Sequence, residues 1–512
     1  KSIEDILAGD IIKPTDNIEF PISEKPIKLK FMKPYVMYDS DYGELALLKD
    51  YAKKTNIEIE WDTPPSENFK EKFTLAMNTG NLPDAIIAAP SDEIEKYGQQ
   101  GAFIDLKDLI DEHMPNLKAN LEKYPFAQKI VTTDEGKMYS MPYIRQFVPG
   151  NNVMMIRADL LKKHGLDMPV TTDDWYNVMK VFKEKEDMTP FSGYGESGKG
   201  MNSAISMVSA WGVYPGMYIA DKLEPKDNKV HYGPIEPLYK EGVEWLRKLY
   251  EEGLIDPEIV TNDPEAFQAK VLQNKVGCWR GYVNGDMAVL NDTAQKEGRS
   301  EDEFRIREAP IMQGPNGNQI HVWPDDMAMS NGMVITAKNK YPEETAKWAD
   351  YWYSEIGQTY VYGIENVTYT IDENGEPKWT DWVLDNPDGK SMNEARGAVT
   401  FGRSVWPTVF QPWSLTSATV ADYVEEGRKE HRDPEKMAYP MVPGLSFSQE
   451  ENAIISQKLT DIETYVDETV LNFIIGKKPM SDWDDYVATV KKMGIDEIID
   501  IYQKSYERWQ ER

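Results

Sequence analysis

Alternation of apolar and polar residues marks the start of the folded chain. Residues 27–31 (IKLKF) and 57–61 (IEIEW) carry apolar side chains at every second position, the period of a half-buried strand. Between them, 39–54 puts Leu45, Leu48 and Ala52 on one helical face. Residues 69–89 (FKEKFTLAMNTGNLPDAIIAA) repeat the grammar. Phe69, Phe73, Ala76 and Met77 form a helical stripe, Gly80 ends it, Pro83 blocks its continuation, and 85–89 is an apolar run of strand length. Strand, helix, strand, helix, strand builds a right-handed, parallel sheet whose ligands sit outside the carboxyl ends of the strands. The loops 34–39, 63–68 and 89–93 are therefore the first places to expect binding residues.

Further along, Glu135-Gly136 reads as a turn and 139–143 as a short strand broken by Pro142, with 331–337 a strand and Pro342 opening a helix over 343–353. Ser448-x-x-Glu451 is a capping box ahead of Ile455, Leu459, Ile462, Val466, Val470 and Phe473, a stripe of helical period. Ser481 opens a second helix, Gly494 ends it, and Ile495, Ile498, Ile499 and Tyr502 share a face of a third. The first 26 residues are polar, contain three prolines and read as a tether.

At 512 residues the chain exceeds what one core usually organises, so two large units or about three smaller ones are expected. Lys+Arg 57 against Asp+Glu 87, a net charge of -30, opposes binding to nucleic acid or anionic lipid. No apolar run approaches a membrane span and no signal h-region is present, and a start at Lys1 is expected of a processed or trimmed product. The lone Cys278 excludes an internal disulfide and a cysteine metal cluster. Five scattered histidines supply no HExxH, and GxSxG is absent. Residues 193–198 fit GxGxxG and 193–199 fit GxxxxGK, yet Pro190 sits where a strand is needed and Gly200 where magnesium requires Ser or Thr, so a flexible glycine loop is the better account. No cofactor and no metal are expected. The many carboxylates leave glycan cleavage open, since a glycosidase needs only two.

Candidate chemistry lies in the aromatics. Trp211, Tyr214 and Tyr218 fall in WGVYPGMY, Trp279 and Tyr282 in CWRGYVNGD, Trp323 in HVWPDD, and Trp406 and Trp413 in GRSVWPTVFQPW. Gly or Pro among them marks loops or strand ends. A ring beside Arg, Asn, Asp or Gln offers a flat apolar face with directional hydrogen bonds, which a sugar ring needs because its face is C–H and its rim hydroxyl. Taken singly, each ring is also what a loop-anchoring core aromatic looks like.

Several blocks carry a resemblance. AMNTGNLPDAI, YGQQGAFIDLKDLID (97–111), EGKMYSMPY (135–143), MMIRADLLKKHGLDMP (154–169), NGMVITAKNKYPEETAKWADYWYSEIGQ (331–358) and the run 444–509 occur in the order found in bacterial family 1 extracellular solute-binding proteins. YGIENVTYTIDENGEP and GIDEIIDIYQKSYERW resemble the long, lipoprotein-like subgroup that includes alginate oligosaccharide-binding proteins. The resemblance implies an α/β, type II periplasmic-binding-protein-like fold of two discontinuous lobes, each a mixed, mainly parallel sheet flanked by helices, plus a C-terminal helical package. Residues 1–26 are then a tether, 27–143 with 318–366 the first lobe, and 144–317 with 367–512 the second.

It implies a non-enzymatic, monomeric protein, lipid-anchored at the bacterial cell surface or periplasmic, that captures an oligosaccharide between its lobes and delivers it to an ABC-type sugar permease. The alternatives are a glycan-active hydrolase or lyase and a surface glycan sensor without transport. The expected cleft residues are Tyr35, Tyr38, Asp39, Ser91, Asp92, Tyr143 and Arg145 from the first lobe. From the second come Trp211, Tyr214, Trp279, Arg280, Tyr282, Trp406 and Gln411, with Trp323 near the return crossing. Arg145, Arg157, Arg280, Arg396 and Arg403 are available to pair with uronates, against which the net charge argues mildly, and a neutral glycan is favoured. The alginate-binding subgroup carries an acidic, Asn/Gly-rich calcium loop where this chain has KVFKEKEDMTPFSGYGESGKG, which lacks alternating oxygen ligands. No calcium is expected there.

Overall fold

The computed structural model describes residues 2–36, 38–145, 152–195, 200–322, 328–375, 377–401, 404–410, 431, 433–442 and 444–511. A six-stranded mixed sheet organises the first lobe, in the order Val409–Phe410, Met141–Arg145, Ala328–Ile335, Ala85–Ile86, Ile27–Met32, Ile57–Asp62. Ile27–Met32 lies between two parallel neighbours, pairing Ile27 with Ile57 and Phe31 with Ala85. Ala328–Ile335 runs antiparallel to both of its neighbours. The alternation read from IKLKF is the cause of this placement: Leu29 and Phe31 are buried while Lys28 and Lys30 face water. Helix Ser66–Thr79 buries Phe69, Phe73 and Ala76, and Gly80 ends it in the left-handed region at φ 70. The preceding helix begins only at Ala46; ahead of it the Asp39 carboxylate accepts the Val36 N–H (3.0 Å) and the Tyr42 hydroxyl (2.6 Å).

Two expectations about the lobes need correction. The N-terminal segment is docked: Ile11 and Ile12 are buried in the first-lobe core, and the Lys13 N–H donates to the Tyr360 hydroxyl at 3.0 Å. Residues 367–410, expected in the second lobe, pack with the first, since Val367, Val399, Phe401, Trp406 and Val409 share its core and Val409–Phe410 pairs with Met141–Arg145. Conversely, Val322 sits in the second core, where His321–Val322 pairs with Met437–Ala438. Among the described residues, lobe membership changes three times, between 145 and 152, between 322 and 328, and between 410 and 431.

In the second lobe, Asn152–Arg157 is the middle strand of a three-stranded antiparallel sheet, between Cys278–Tyr282 and Ile306–Glu308. The capping box Ser448/Glu451 opens a 26-residue helix, Gln449–Ile474, that buries Ile462, Val466, Val470 and Phe473. Trp483–Lys492 and Ile495–Glu511 complete the terminal package. Part of that package reaches back to the first lobe. Glu95 accepts the Ser446 hydroxyl at 2.5 Å and the Phe447 N–H at 3.0 Å, Gln99 donates to the Phe447 carbonyl at 2.7 Å, and Arg508 pairs with Asp134 at 2.7 Å.

Candidate functional site

A cavity of about 410 Å³ opens in the second lobe beside the crossings. Strand periodicity decides what enters it. Along Cys278–Tyr282, Trp279 lies opposite Met155 and turns into a core with Phe267, while Arg280 and Tyr282, on the other face opposite Met154 and Asn152, line the cavity. Arg280 Nε donates to Asn152 Oδ1 at 2.7 Å, which aims the guanidinium, and burial lowers its pKa from the usual value. Tyr282 keeps 47% of its surface exposed and, with Tyr214, supplies aromatic faces.

A second part of the lining is hydroxyl. Ser203, Ser206 and Ser209 recur every third residue through helix Met201–Ile205 and the 3₁₀ turn Ser206–Trp211. The Ser206 and Ser209 hydroxyls donate to the carbonyls of Ser203 (2.7 Å) and Ser206 (2.9 Å), which leaves oxygen lone pairs to accept from a ligand. Val466, Asp467 and Val470 of the long C-terminal helix close a third side. Beneath, a pocket of about 30 Å³ brings Arg280 together with His321 and His431, whose ring centroids are 5.3 Å apart. Burial, reinforced by Arg280 and His431, drives the His321 pKa well below its ordinary value, so its imidazole is neutral at pH 7.

Of the residues expected from sequence, the structure brings Tyr214, Arg280 and Tyr282 together here. Trp211 is 3% exposed, packed against Trp245 at 5.6 Å, and Trp279 is fully buried. Trp406 is a first-lobe core residue stacked on Phe401 with centroids 4.1 Å apart. These three indoles are core residues, and none of them lines the cavity. In the first lobe, Tyr35 is exposed and donates to the Asp39 carbonyl at 2.7 Å, and Tyr38 is held at φ 73. The Asp39 side chain is buried against Lys33 at 3.7 Å, so it shapes the loop; burial pushes the Lys33 ammonium down to about 8, with Asp39 opposing. Ser91 and Asp92 line a second space, about 570 Å³, between the first lobe and residues 441–447.

Tyr143 is buried on the crossing strand, which pushes its hydroxyl up to about 12, and Arg145 ends that strand half-buried. Arg157 is clamped by both Asp159 oxygens at 2.8 and 2.7 Å, and the Arg396 guanidinium lies 4.5 Å from the centre of the Trp379 ring. Trp323, Gln411, Trp413 and Arg403 lie outside the described residues. Among the described residues no group of three or more His, Cys, Asp or Glu is placed to hold a metal ion. Sequence reasoning passed over Asn152, Asp467 and the serine wall, although S-x-x-S-x-x-S over 203–209 is a visible stripe of short helical spacing.

Two lobes joined by three crossings, with a polar, aromatic-rimmed cavity beside them, define a two-lobed binding protein. Residues 39–359 match the family model for bacterial extracellular solute-binding protein, and the chain belongs to that family. It is similar to the fructooligosaccharide ABC transporter substrate-binding protein FusA of Streptococcus pneumoniae serotype 4, 28% identical over 529 aligned positions that cover 97% of this chain and 93% of the relative. Among solved structures it resembles alginate-binding protein AlgQ2 without calcium ion, with a TM-score of 0.80 and 25% identity over 95% of this chain and 99% of the other. It also resembles a FusA EF-hand mutant in complex with fructo-nystose, with a TM-score of 0.76 and 26% identity over 94% and 99%. The family is extracellular, and among the described residues no helix is long and apolar enough to cross a membrane.

Proposed function

We propose that the protein captures an oligosaccharide between its lobes and delivers it to an ABC-type sugar permease, the 410 Å³ cavity being the second-lobe half of the site. The observation that carries this reading is convergence: one guanidinium, three phenol rings, two amides and three serine hydroxyls line a single space. That set meets a sugar's two needs, apolar faces for C–H and directional partners for hydroxyls. Tyr35, Tyr38, Tyr143 and Arg145 are the first-lobe residues we assign to the facing half, whereas Ser91 and Asp92 line the separate space beside Ser446 and Phe447. Contacts from both halves, made only when the lobes meet, drive closure around the ligand.

A neutral ligand fits best. Among the described lining residues Arg280 is balanced by Asp467, so the cavity carries no surplus positive charge for a uronate. The FusA complexes with kestose and fructo-nystose support fructooligosaccharides as the first ligands to try. We further assign the protein to the cell surface, lipid-anchored, or to the periplasm, as a monomer that leaves its ligand chemically intact.

Titration calorimetry against kestose, fructo-nystose, trigalacturonate and an alginate trisaccharide tests the reading. Binding of a neutral member with dissociation constants of order micromolar supports it. Binding confined to the uronates overturns the neutral assignment, and new reducing ends after incubation overturn capture in favour of cleavage.

A further inference from the structure

Beyond the residues that line the cavity, one buried carboxylate ties its walls together. Asp286 is 3% exposed. Its Oδ2 accepts the Tyr282 N–H at 2.8 Å, and its two oxygens accept the Tyr194 hydroxyl at 3.0 and 3.1 Å. It belongs to a single π-helical turn, Val283–Met287, that directly follows the strand bearing Arg280 and Tyr282. Such turns cost regular hydrogen bonding and concentrate where a side chain must be aimed.

The approach depends on a missing side chain. A Cβ on Gly281 would lie 2.3 Å from Asp286 Oδ2 and 2.9 Å from Trp279 Nε1, so only glycine lets the carboxylate lie across the strand end. Tyr194 is the other anchor. Its ring packs on Phe267 at 5.1 Å, and a Cβ on the adjoining Gly193 would meet Ser203 Oγ at 2.7 Å, so this segment presses directly on a serine of the cavity lining. Asp286 thus fixes the main chain of one wall and, through Tyr194, braces the other.

We propose that Asp286 is a positioning residue for ligand capture: without touching the ligand it sets the spacing between the Arg280/Tyr282 wall and the Ser203 wall. The proposal rests on the cavity being the ligand site. Two measurements keep its failure distinct from a failure of that assignment. In ligand-free protein, hydrogen exchange at the Tyr282 amide is slow in the wild type and at least ten-fold faster in Asp286→Ala, because that N–H loses its acceptor; equal rates overturn the proposal whatever the ligand.

With kestose as the probe, Asp286→Ala binds at least ten-fold more weakly, while Asp286→Asn, whose amide oxygen still accepts both bonds, stays within about three-fold of wild type. Combining Asp286→Ala with Tyr282→Ala costs less than the product of the two single losses, since both act in part through the Tyr282 strand. Full additivity, or wild-type affinity in Asp286→Ala, overturns it. If Asp286→Ala does not fold, Tyr194→Phe takes its place, with an expected loss of three-fold or more, and unchanged affinity there overturns it equally. Wild-type protein that binds none of the saccharides tested above refutes the site assignment, and the exchange result then decides the role of Asp286 by itself.

Discussion

Replacing Trp279 and Tyr282 one at a time separates what the sequence suggests from what the fold imposes, because the two aromatics stand three residues apart on opposite faces of one strand end. Trp279 is fully buried and meets Phe267 edge to face at 5.5 Å, with Val153, Met155 and Ile306 in the same cluster. Emptying such a site costs the transfer of the indole plus the residual cavity, about 3–5 kcal/mol for Trp→Ala. At about 2–4 °C per kcal/mol for a unit of this size, Trp279→Ala lowers the melting temperature by roughly 6–20 °C. Its affinity for saccharide, measured well below that melting point, stays within a few-fold. Tyr282 is 47% exposed, so Tyr282→Ala changes stability by less than about 1 kcal/mol. If its ring is a stacking platform, the loss in binding is around 1–3 kcal/mol, a factor of roughly 5 to 150. Scanning calorimetry and titration calorimetry on both variants make the test. A Trp279→Ala protein that melts like wild type but no longer binds would refute the packing argument, as would a Tyr282→Ala protein that binds normally.

Arg280→Ala removes a charge-assisted donor from the cavity lining, worth around 1.5–3 kcal/mol, and leaves Asn152 without that partner, so affinity falls roughly 10- to 150-fold in titration calorimetry; a change under three-fold removes Arg280 from the site. Asp350 is buried and accepts from Asn116 and Leu117, and burial pushes its carboxyl up to about 6 from 3.8. The folded state therefore binds this proton more tightly than the unfolded chain: the stabilisation is complete below about pH 3.8 and is lost as pH rises through about 6, at most about 1.4 kcal/mol per pH unit. Asp350→Asn flattens that part of the urea-unfolding profile between pH 4 and 6, and an identical slope in the variant contradicts the assignment. Micromolar calcium leaves the melting temperature unchanged, since residues 180–200 lack the spaced oxygen ligands; a rise of several degrees would show a site.

The first lobe was legible because its signals are local. Period-two strands at 27–31 and 57–61 and the Gly80–Pro83 stop each depend on a few adjacent residues. The terminal helices were legible for the same reason, from the Ser448/Glu451 box and the Val466–Val470–Phe473 stripe. The lobe boundary was not, because Val409–Phe410 joins its sheet through a pairing more than 260 residues distant, which no local pattern encodes. Trp279, Trp211 and Trp406 misled because a loop-like Gly/Pro context says where the backbone turns, not which way a ring points. Arg280 and Tyr282 could have been separated from Trp279 by strand alternation within CWRGY, had that run been read as a strand.

The bonds from Glu95, Gln99 and Asp134 to Ser446, Phe447 and Arg508 fasten the first lobe to the terminal helical package by side chains as well as by the chain itself. A body held at such points turns more readily than it slides. Spectroscopic labels at the neighbouring exposed residues 100 and 450 should therefore report an almost constant separation, whereas a pair on the two lobes near Tyr35 and Tyr282 should register the full swing.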